Sequence, residues 1–219
     1  MIISKQKPLD QMLGVLNSGS VFLVGCSECA TLCRTGGEQE VLALKKILEK
    51  NGCMVTGWII LDPACHLLNN KRMLKPHQHA IEQADHILVL ACGNGVQTVA
   101  ELIEDKHVVP GTDTLFLGEI KRATQFEKRC SLCGDCLLES FDAICPVTRC
   151  PKHILNGPCG GSCKGKCEID DALDCIWDVL VKRLEQKNKI HLLHTIQPPK
   201  NWSKSLEMRR VLGHHDSCE

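Results

Sequence analysis

VFLVGCSECATLCRTGGEQEVLALKKILEKNG, residues 21–52, decides the fold. Its first five residues, Val21 to Gly25, form a short β-branched and apolar run of the kind that parallel sheets bury on both faces. Glu38 to Lys50 then places Val41, Leu44, Ile47 and Leu48 at helical spacing, and Asn51-Gly52 supplies a stop. Between strand and helix stand Cys26, Cys29 and Cys33, spaced C-x2-C-x3-C. The same alternation continues downstream. VTGWIIL at 55–61 reads as a strand and is followed by a less regular helical stretch. HILVLA at 86–91 is the next strand, then a turn with Gly93 and Gly95, a helix in VQTVAELIE and a last strand TLFLGE at 114–119. Strand and helix repeated in this way predict a parallel sheet with right-handed crossovers and helices on both faces, a Rossmann-like α/β domain over residues 1–125. Sites in such sheets lie beyond the carboxyl ends of the strands. Three strands here run straight into cysteine: VFLVG into Cys26, WIILDPA into Cys65 and HILVLA into Cys92.

Composition narrows the function. Lys and Arg number 26 against 26 Asp and Glu, so no net field gathers nucleic acid or an acidic membrane. The hydrophobic share of 43% permits a core, but aromatics are 3% and Tyr is absent, while Cys reaches 16 in 219 residues. No signal-peptide pattern opens the chain and no apolar run approaches the ~20 residues that cross a bilayer, so a cytoplasmic location is expected. In a reducing compartment, closely spaced cysteines read as metal or cluster ligands before disulfides.

Nine of the cysteines crowd between Cys130 and Cys175, which sets off residues 126–219 as a cysteine-rich module with a terminal helix and a tail. In RCSLCGDC, Cys130, Cys133 and Cys136 form C-x2-C-x2-C, a spacing that folds one loop around an iron–sulfur cube. Bacterial ferredoxins place C-P three residues later; here Cys145-Pro146 comes after eight, and a second pair, Cys150-Pro151, follows, which leaves the fourth ligand open. Zinc, which also takes four thiolates, is the competing reading, and nine cysteines suffice for two four-ligand sites, one of each kind included. The segment 130–168 has no stretch long enough for a core helix, so metal would have to replace a core there. In DDALDCIWDVLVKRLEQ, Asp170 or Asp171 is the expected N-cap, with Leu173, Ile176, Trp177, Leu180 and Leu184 on one face. The tail from Gln197 is expected at the surface or against a partner. In the first domain Cys53 reads as core, while Cys26, Cys29, Cys33, Cys65 and Cys92 read either as one converging site or, singly, as small buried hydrophobes. ACGNGVQT reads as a structural turn, with support of a cluster loop and approach of a phosphate as alternatives. The histidines, among them His77, His79, His86, His107, His214 and His215, lack zinc-hydrolase spacing and read as surface or satisfied groups.

Several blocks carry a family resemblance: GCSECATLCRTGGE (25–38), LACGNGVQTVAE (90–101), RCSLCGDC (129–136), CPVTRCPKHILNGPCGG (145–161), GKCEI (165–169) and PPKNWS (198–203). In this order, from about Lys7 to Ser203, the chain resembles the small cysteine-rich MetV-type subunits of bacterial methylenetetrahydrofolate reductases. Asn156 to Gly161, NGPCGG, is the most specific block. The resemblance implies a non-catalytic subunit that carries iron–sulfur clusters, 4Fe–4S in type, with zinc as a further metal. It also implies a flavin-bearing MetF-type catalytic partner, further electron-transfer subunits, and reduction of 5,10-methylenetetrahydrofolate to 5-methyltetrahydrofolate in one-carbon metabolism, as in the acetyl-CoA pathway. The matching cysteines are Cys26, Cys29, Cys33, Cys65 and Cys92 for a cofactor in the first domain. For metal in the second they are Cys130, Cys133, Cys136, Cys145, Cys150, Cys159, Cys167 and Cys175. Cys163 has no counterpart and reads as a spare thiol, and FDAI ahead of Cys145 stands where the family pattern has TGGI. The alternative to an electron-transfer subunit is a zinc-stapled scaffold without a redox role. A stand-alone oxidoreductase lacks any recognisable substrate pocket in the sequence.

Overall fold

Val21 to Val24 is fully buried, and in the computed structural model, which describes residues 1–123 and 125–207, it lies at the centre of the strand that organises the first unit. That unit, Met1–Phe126, and a second, Glu127–Glu219, are the two compact parts of the chain. In chain order the first contains β1 (Ile2–Gln6), α1 (Leu9–Leu16), β2 (Ser20–Cys26), α2 (Cys29–Leu32), α3 (Glu38–Lys50), β3 (Met54–Leu61) and α4 (Leu67–Leu74). There follow α5 (Gln78–Glu82), β4 (His86–Val89), α6 (Gly93–Leu102), β5 (His107–Pro110) and β6 (Thr112–Arg122), with the unit boundary inside β7 (Gln125–Cys130).

The expected α/β architecture is present. Four strands run parallel in the order β3-β2-β4-β5. Because β2 is fully buried, its alternate residues face two separate cores. Phe22 and Val24 pack with Ile87, Val89, Leu74, Ile81 and Val99, beneath α4, α5 and α6. Val21 and Leu23 pack with Met12, Leu16, Val41, Leu44 and Leu48, beneath α1 and α3. Cys53 belongs to this second core, and Ile47, placed on the same helical face by its spacing, is instead 40% exposed. The order reverses at β2, since the chain crosses from β2 to β3 on one side and returns to β4 on the other. The carboxyl ends of β2 and β4 therefore flank a topological switch point, the place where such sheets hold ligands.

TLFLGE does not close the parallel sheet. It lies in β6, which pairs antiparallel with β1 in a three-stranded sheet of order β1-β6-β7. The fourth parallel strand is β5, and Gly111 alone separates it from β6. A parallel crossover needs a dozen or more residues, so a one-residue connection forces the next strand out of the sheet.

The second unit contains α7 (Pro146–Arg149), α8 (Ile176–Gln186) and α9 (Ser203–Glu207). It does have a small core: Phe141, Ile144 and Cys150 pack against Cys175, Ile176, Trp177, Leu180 and Leu184 of the α8 region. This corrects the expectation that metal alone replaces a core there. The terminal helix is shorter than its sequence suggests, because Cys175 occupies the N-cap, Asp170 and Asp171 lie outside the helix, and Leu173 is exposed. Asp170 instead accepts the Ala172 N–H in a local turn. Cys218, His214 and His215 lie outside the described residues. Among the described residues no helix is long and apolar enough to cross a membrane.

Candidate metal and cluster site

Cys26 is the last residue of β2, level with Leu61 of β3. Beyond it the chain turns back through α2 and is closed by its own backbone: Cys26 N–H donates to Gly36 O at 2.8 Å, and Thr31 Oγ1 donates to Cys26 O at 2.7 Å. Gly36 has to be glycine because a Cβ there would overlap the Leu90 carbonyl of the neighbouring strand end. β1 clamps this loop from outside. Ile2 N–H donates to Cys29 Sγ at 3.5 Å, Cys33 Sγ donates to Ile2 O at 3.7 Å, and Ser4 and Thr35 share a hydroxyl hydrogen bond of 2.8 Å. Gln6 Nε2 adds a bond of 3.0 Å to Thr35 O. Sequence reading missed the clamp; Ile2-Ile3 ahead of Pro8 is the β-branched signal that marks it.

The loop after β3 carries Cys65 and is tied to the first loop, as Ser27 Oγ donates to Asp62 Oδ1 at 2.6 Å and Ser27 N–H to Leu61 O at 3.0 Å. Buried Asn70 donates to Ala64 O at 2.7 Å from below. Cys92 is the N-cap of α6, where the Gly93 N–H donates to Thr114 Oγ1 at 2.7 Å, and a Cβ at Gly95 would meet Ala64 and Ala91 at 2.9 Å. The glycines of ACGNGVQT thus serve a close turn of helix against strand ends. Cys65 is solvent-accessible, yet its thiol is pushed up, first by partial burial and then by the nearby thiols of Cys92 and Cys26, with Cys29 a smaller contributor. Burial also pushes up the Cys33 thiol, opposed by hydrogen bonds from Ser4 and reinforced by Cys29. Cys26 ends β2, Cys29 and Cys33 follow it at α2, Cys65 lies four residues beyond β3 and Cys92 three beyond β4, so all five follow the carboxyl ends of neighbouring parallel strands. Burial in the second core pushes up the Cys53 thiol, opposed by a hydrogen bond from the Ser18 backbone.

In the second unit the C-x2-C-x2-C loop turns through Leu132 (φ 54°) and Gly134 (φ 72°). Leu132 N–H donates back to Cys130 Sγ at 3.3 Å, and Cys133 Sγ donates to Asp135 O at 3.6 Å. Ser131 and Thr148 share a hydrogen bond of 3.0 Å, and Cys145 Sγ donates to Thr148 Oγ1 at 3.6 Å, so the loop is tied to the turn that bears Cys145. Part of the tail is ordered against this loop: Lys200 and Lys204 form ion pairs with Asp135, whose carboxyl is held below its usual range first by Lys204 and then by Lys200. Asn156 pairs its side-chain amide with the backbone of Gln197 at 2.8 and 3.0 Å.

Four of the remaining cysteines line a different place. Cys150, Cys159, Cys167 and Cys175 are among the residues lining one small cavity of about 20 Å³. Gly160 takes φ 80°, a conformation open to glycine at no steric cost, and this brings the Gly161 N–H to Cys159 Sγ at 3.4 Å. Cys163 is exposed and does not line the cavity. Among the described residues no three His, Cys, Asp or Glu side chains converge closely enough to hold a metal ion. The donor chemistry nevertheless suits thiolate-bound iron or zinc: Cys29, Cys130 and Cys159 each receive a backbone N–H, the bond that steadies a ligating sulfur. A groove of about 470 Å³ between α4–α5 and α6 contains Lys71, Lys75, Glu82, Glu101, Glu104 and Asp105 but none of the cysteines.

Residues 109–203 match the family described as methylene-tetrahydrofolate reductase C terminal. The matched span includes every cysteine from Cys130 to Cys175. No curated protein and no solved structure matches the chain.

Proposed function

We propose that this chain is the iron–sulfur, electron-transfer subunit of a methylenetetrahydrofolate reductase and works on a flavin-containing MetF-type partner. The observation that carries the reading is the family match over residues 109–203, which ties the cysteine-rich part of the chain to these reductases. The arrangement of thiols supports it from two sides: five at the strand ends of the first unit and eight more in the second. Cys26, Cys29, Cys33, Cys65 and Cys92 would hold one cofactor. Cys130, Cys133, Cys136, Cys145, Cys150, Cys159, Cys167 and Cys175 would hold metal in the second unit.

Reduction of 5,10-methylenetetrahydrofolate to 5-methyltetrahydrofolate consumes two electrons and two protons. Iron–sulfur clusters bound here would supply electrons one at a time, while the flavin on the partner performs the hydride chemistry. Backbone N–H groups donate to the sulfurs of Cys29, Cys130 and Cys159, and burial keeps Cys26, Cys33, Cys133, Cys150 and Cys175 from bulk water. The expected division of labour is therefore strict. Anoxically purified chain with clusters should give no turnover of methylenetetrahydrofolate alone and should support turnover when the flavoprotein is added with a reduced electron carrier. Turnover by the isolated, flavin-free chain would overturn the assignment.

A further inference from the structure

Residues 198–204, PPKNWSK, begin the polar tail and lie as a strap across the C-x2-C-x2-C loop. Asn156 holds the near end of the strap through the backbone of Gln197. At the far end a Cβ on Gly134 (φ 72°) would stand 3.0 Å from Lys204 O, so a glycine there admits the strap. Between these anchors Lys200 turns inward. Its side chain is 5% exposed, its Nζ donates to Asp135 O, and the same Nζ pairs with Asp135 Oδ2 at 3.3 Å. Lys204, 46% exposed, pairs with Asp135 Oδ1 at 2.8 Å. The Asp135 carbonyl also accepts Cys133 Sγ at 3.6 Å, so the Lys200 ammonium and the Cys133 sulfur meet at one oxygen. Two cations against one carboxylate leave one positive charge in excess beside the loop. A lysine is rarely buried, because its ammonium gives up hydration, and an exposed pair such as Lys204–Asp135 would suffice to fasten a tail.

Granted the electron-transfer role, on which this rests, we propose that Lys200 is a redox-tuning residue: its buried ammonium, laid against the Cys133–Cys136 turn by the strap, makes a cluster bound by that loop easier to reduce. An arriving electron adds one negative charge at the loop, and no bond forms or breaks at Lys200. A fixed cation beside that charge stabilises the reduced form over the oxidised one, more strongly where water is excluded than at an exposed site. Lys204 is open to solvent and screened, so it contributes less.

The test is a redox titration of the full chain, purified anoxically and followed by electron paramagnetic resonance, with iron and acid-labile sulfide measured for every variant. The signal followed is the one that Cys133→Ser diminishes. Lys200→Met should retain iron and lower the midpoint potential, by on the order of a tenfold change in the reduced-to-oxidised ratio, which is about 59 mV for one electron. Lys200→Arg keeps the charge and should stay with wild type, while Lys204→Met should shift less, by an amount that vanishes in high salt. Asp135→Asn keeps the carbonyl that Lys200 bonds and removes a negative charge, so it should raise the midpoint. A strap that only fastens the tail would alter resistance to denaturant in these variants and leave their midpoints together. Equal midpoints in wild type and Lys200→Met, or a Lys200→Arg midpoint as low as that of Lys200→Met, would overturn the proposal. Should Lys200→Met lose its iron, Asp135→Asn decides, since an unmoved or lowered midpoint contradicts the charge effect. Wild type without iron and sulfide would overturn the electron-transfer role and the tuning with it, whereas a reducible cluster whose midpoint ignores Lys200 overturns the tuning alone.

Discussion

Asp142 and Ala143 both stand in the left-handed region, at φ 47° and 65°, just ahead of Cys145. They are the middle of FDAI, so the backbone takes a conformation that suits glycine without a glycine at either position. A left-handed non-glycine residue costs about 1–2 kcal/mol, and glycine returns about 0.5–1 kcal/mol of that in unfolded-chain entropy. Ala143→Gly should therefore stabilise the second unit by about 0.5–1 kcal/mol, read as an increased denaturant midpoint. Asp142 is compensated differently. Its carboxylate accepts from Lys187 Nζ at 2.6 Å and Arg183 Nε at 2.8 Å, with Lys189 Nζ at 3.4 Å, and these bonds hold it well below the usual carboxylate range. A depressed carboxyl contributes stability that is complete above the ordinary aspartate value of about 3.9 and is lost as pH falls below it toward the folded value. Denaturant midpoints of wild type and Asp142→Asn should accordingly differ at neutral pH and converge below about pH 4. A constant difference across that range would contradict the pairing.

Trp177 is buried, stands edge-on to Phe141 with centroids 5.8 Å apart, and donates its indole N–H to Ile154 O at 3.2 Å. Trp177→Ala should destabilise the second unit by about 3–5 kcal/mol, and Trp177→Phe by less, measured by chemical denaturation. Gly36→Ala should displace the loop of Cys26, Cys29 and Cys33 from Leu90 and reduce the metal bound by the first unit, as elemental analysis would show; full loading would remove the role given to that contact.

These elements differ in how far local sequence foretells them. α3 is readable to its ends, because its spacing, its first-turn acids Glu38 and Glu40 and its Asn-Gly stop all agree. Of the strands expected to run into cysteine, β2 does end at Cys26, whereas β3 stops at Leu61 and β4 at Val89, four and three residues short of Cys65 and Cys92. β1, however, gains its strand only by pairing with β6 more than a hundred residues away, and the reach of Ile2 to Cys29 and Cys33 is tertiary. β5 is four residues long and ends in proline, too short for a periodic signal. The candidate ligands were legible as residue types at telling spacings. Their grouping was not, since Cys150 and Cys175 meet through the packing of Ile176 and Trp177 rather than through spacing.

Over the whole molecule, zero net charge and a cysteine-rich half matched to the methylene-tetrahydrofolate reductase C-terminal family favour a protein that meets a specific partner over one that collects polyanions. Co-expression with a MetF-type flavoprotein should yield a complex that survives gel filtration, and electrons should pass to its flavin from the reduced chain. Iron is what separates an electron-transfer subunit from a zinc-stapled scaffold. Electron paramagnetic resonance of the anoxically purified chain, reduced with dithionite and quantified against its iron and acid-labile sulfide, tests that directly. An electron-transfer subunit should show the signal of a reduced iron–sulfur cluster, diminished in Cys133→Ser; a colourless chain holding zinc but no iron or sulfide, and silent on reduction, would contradict that role.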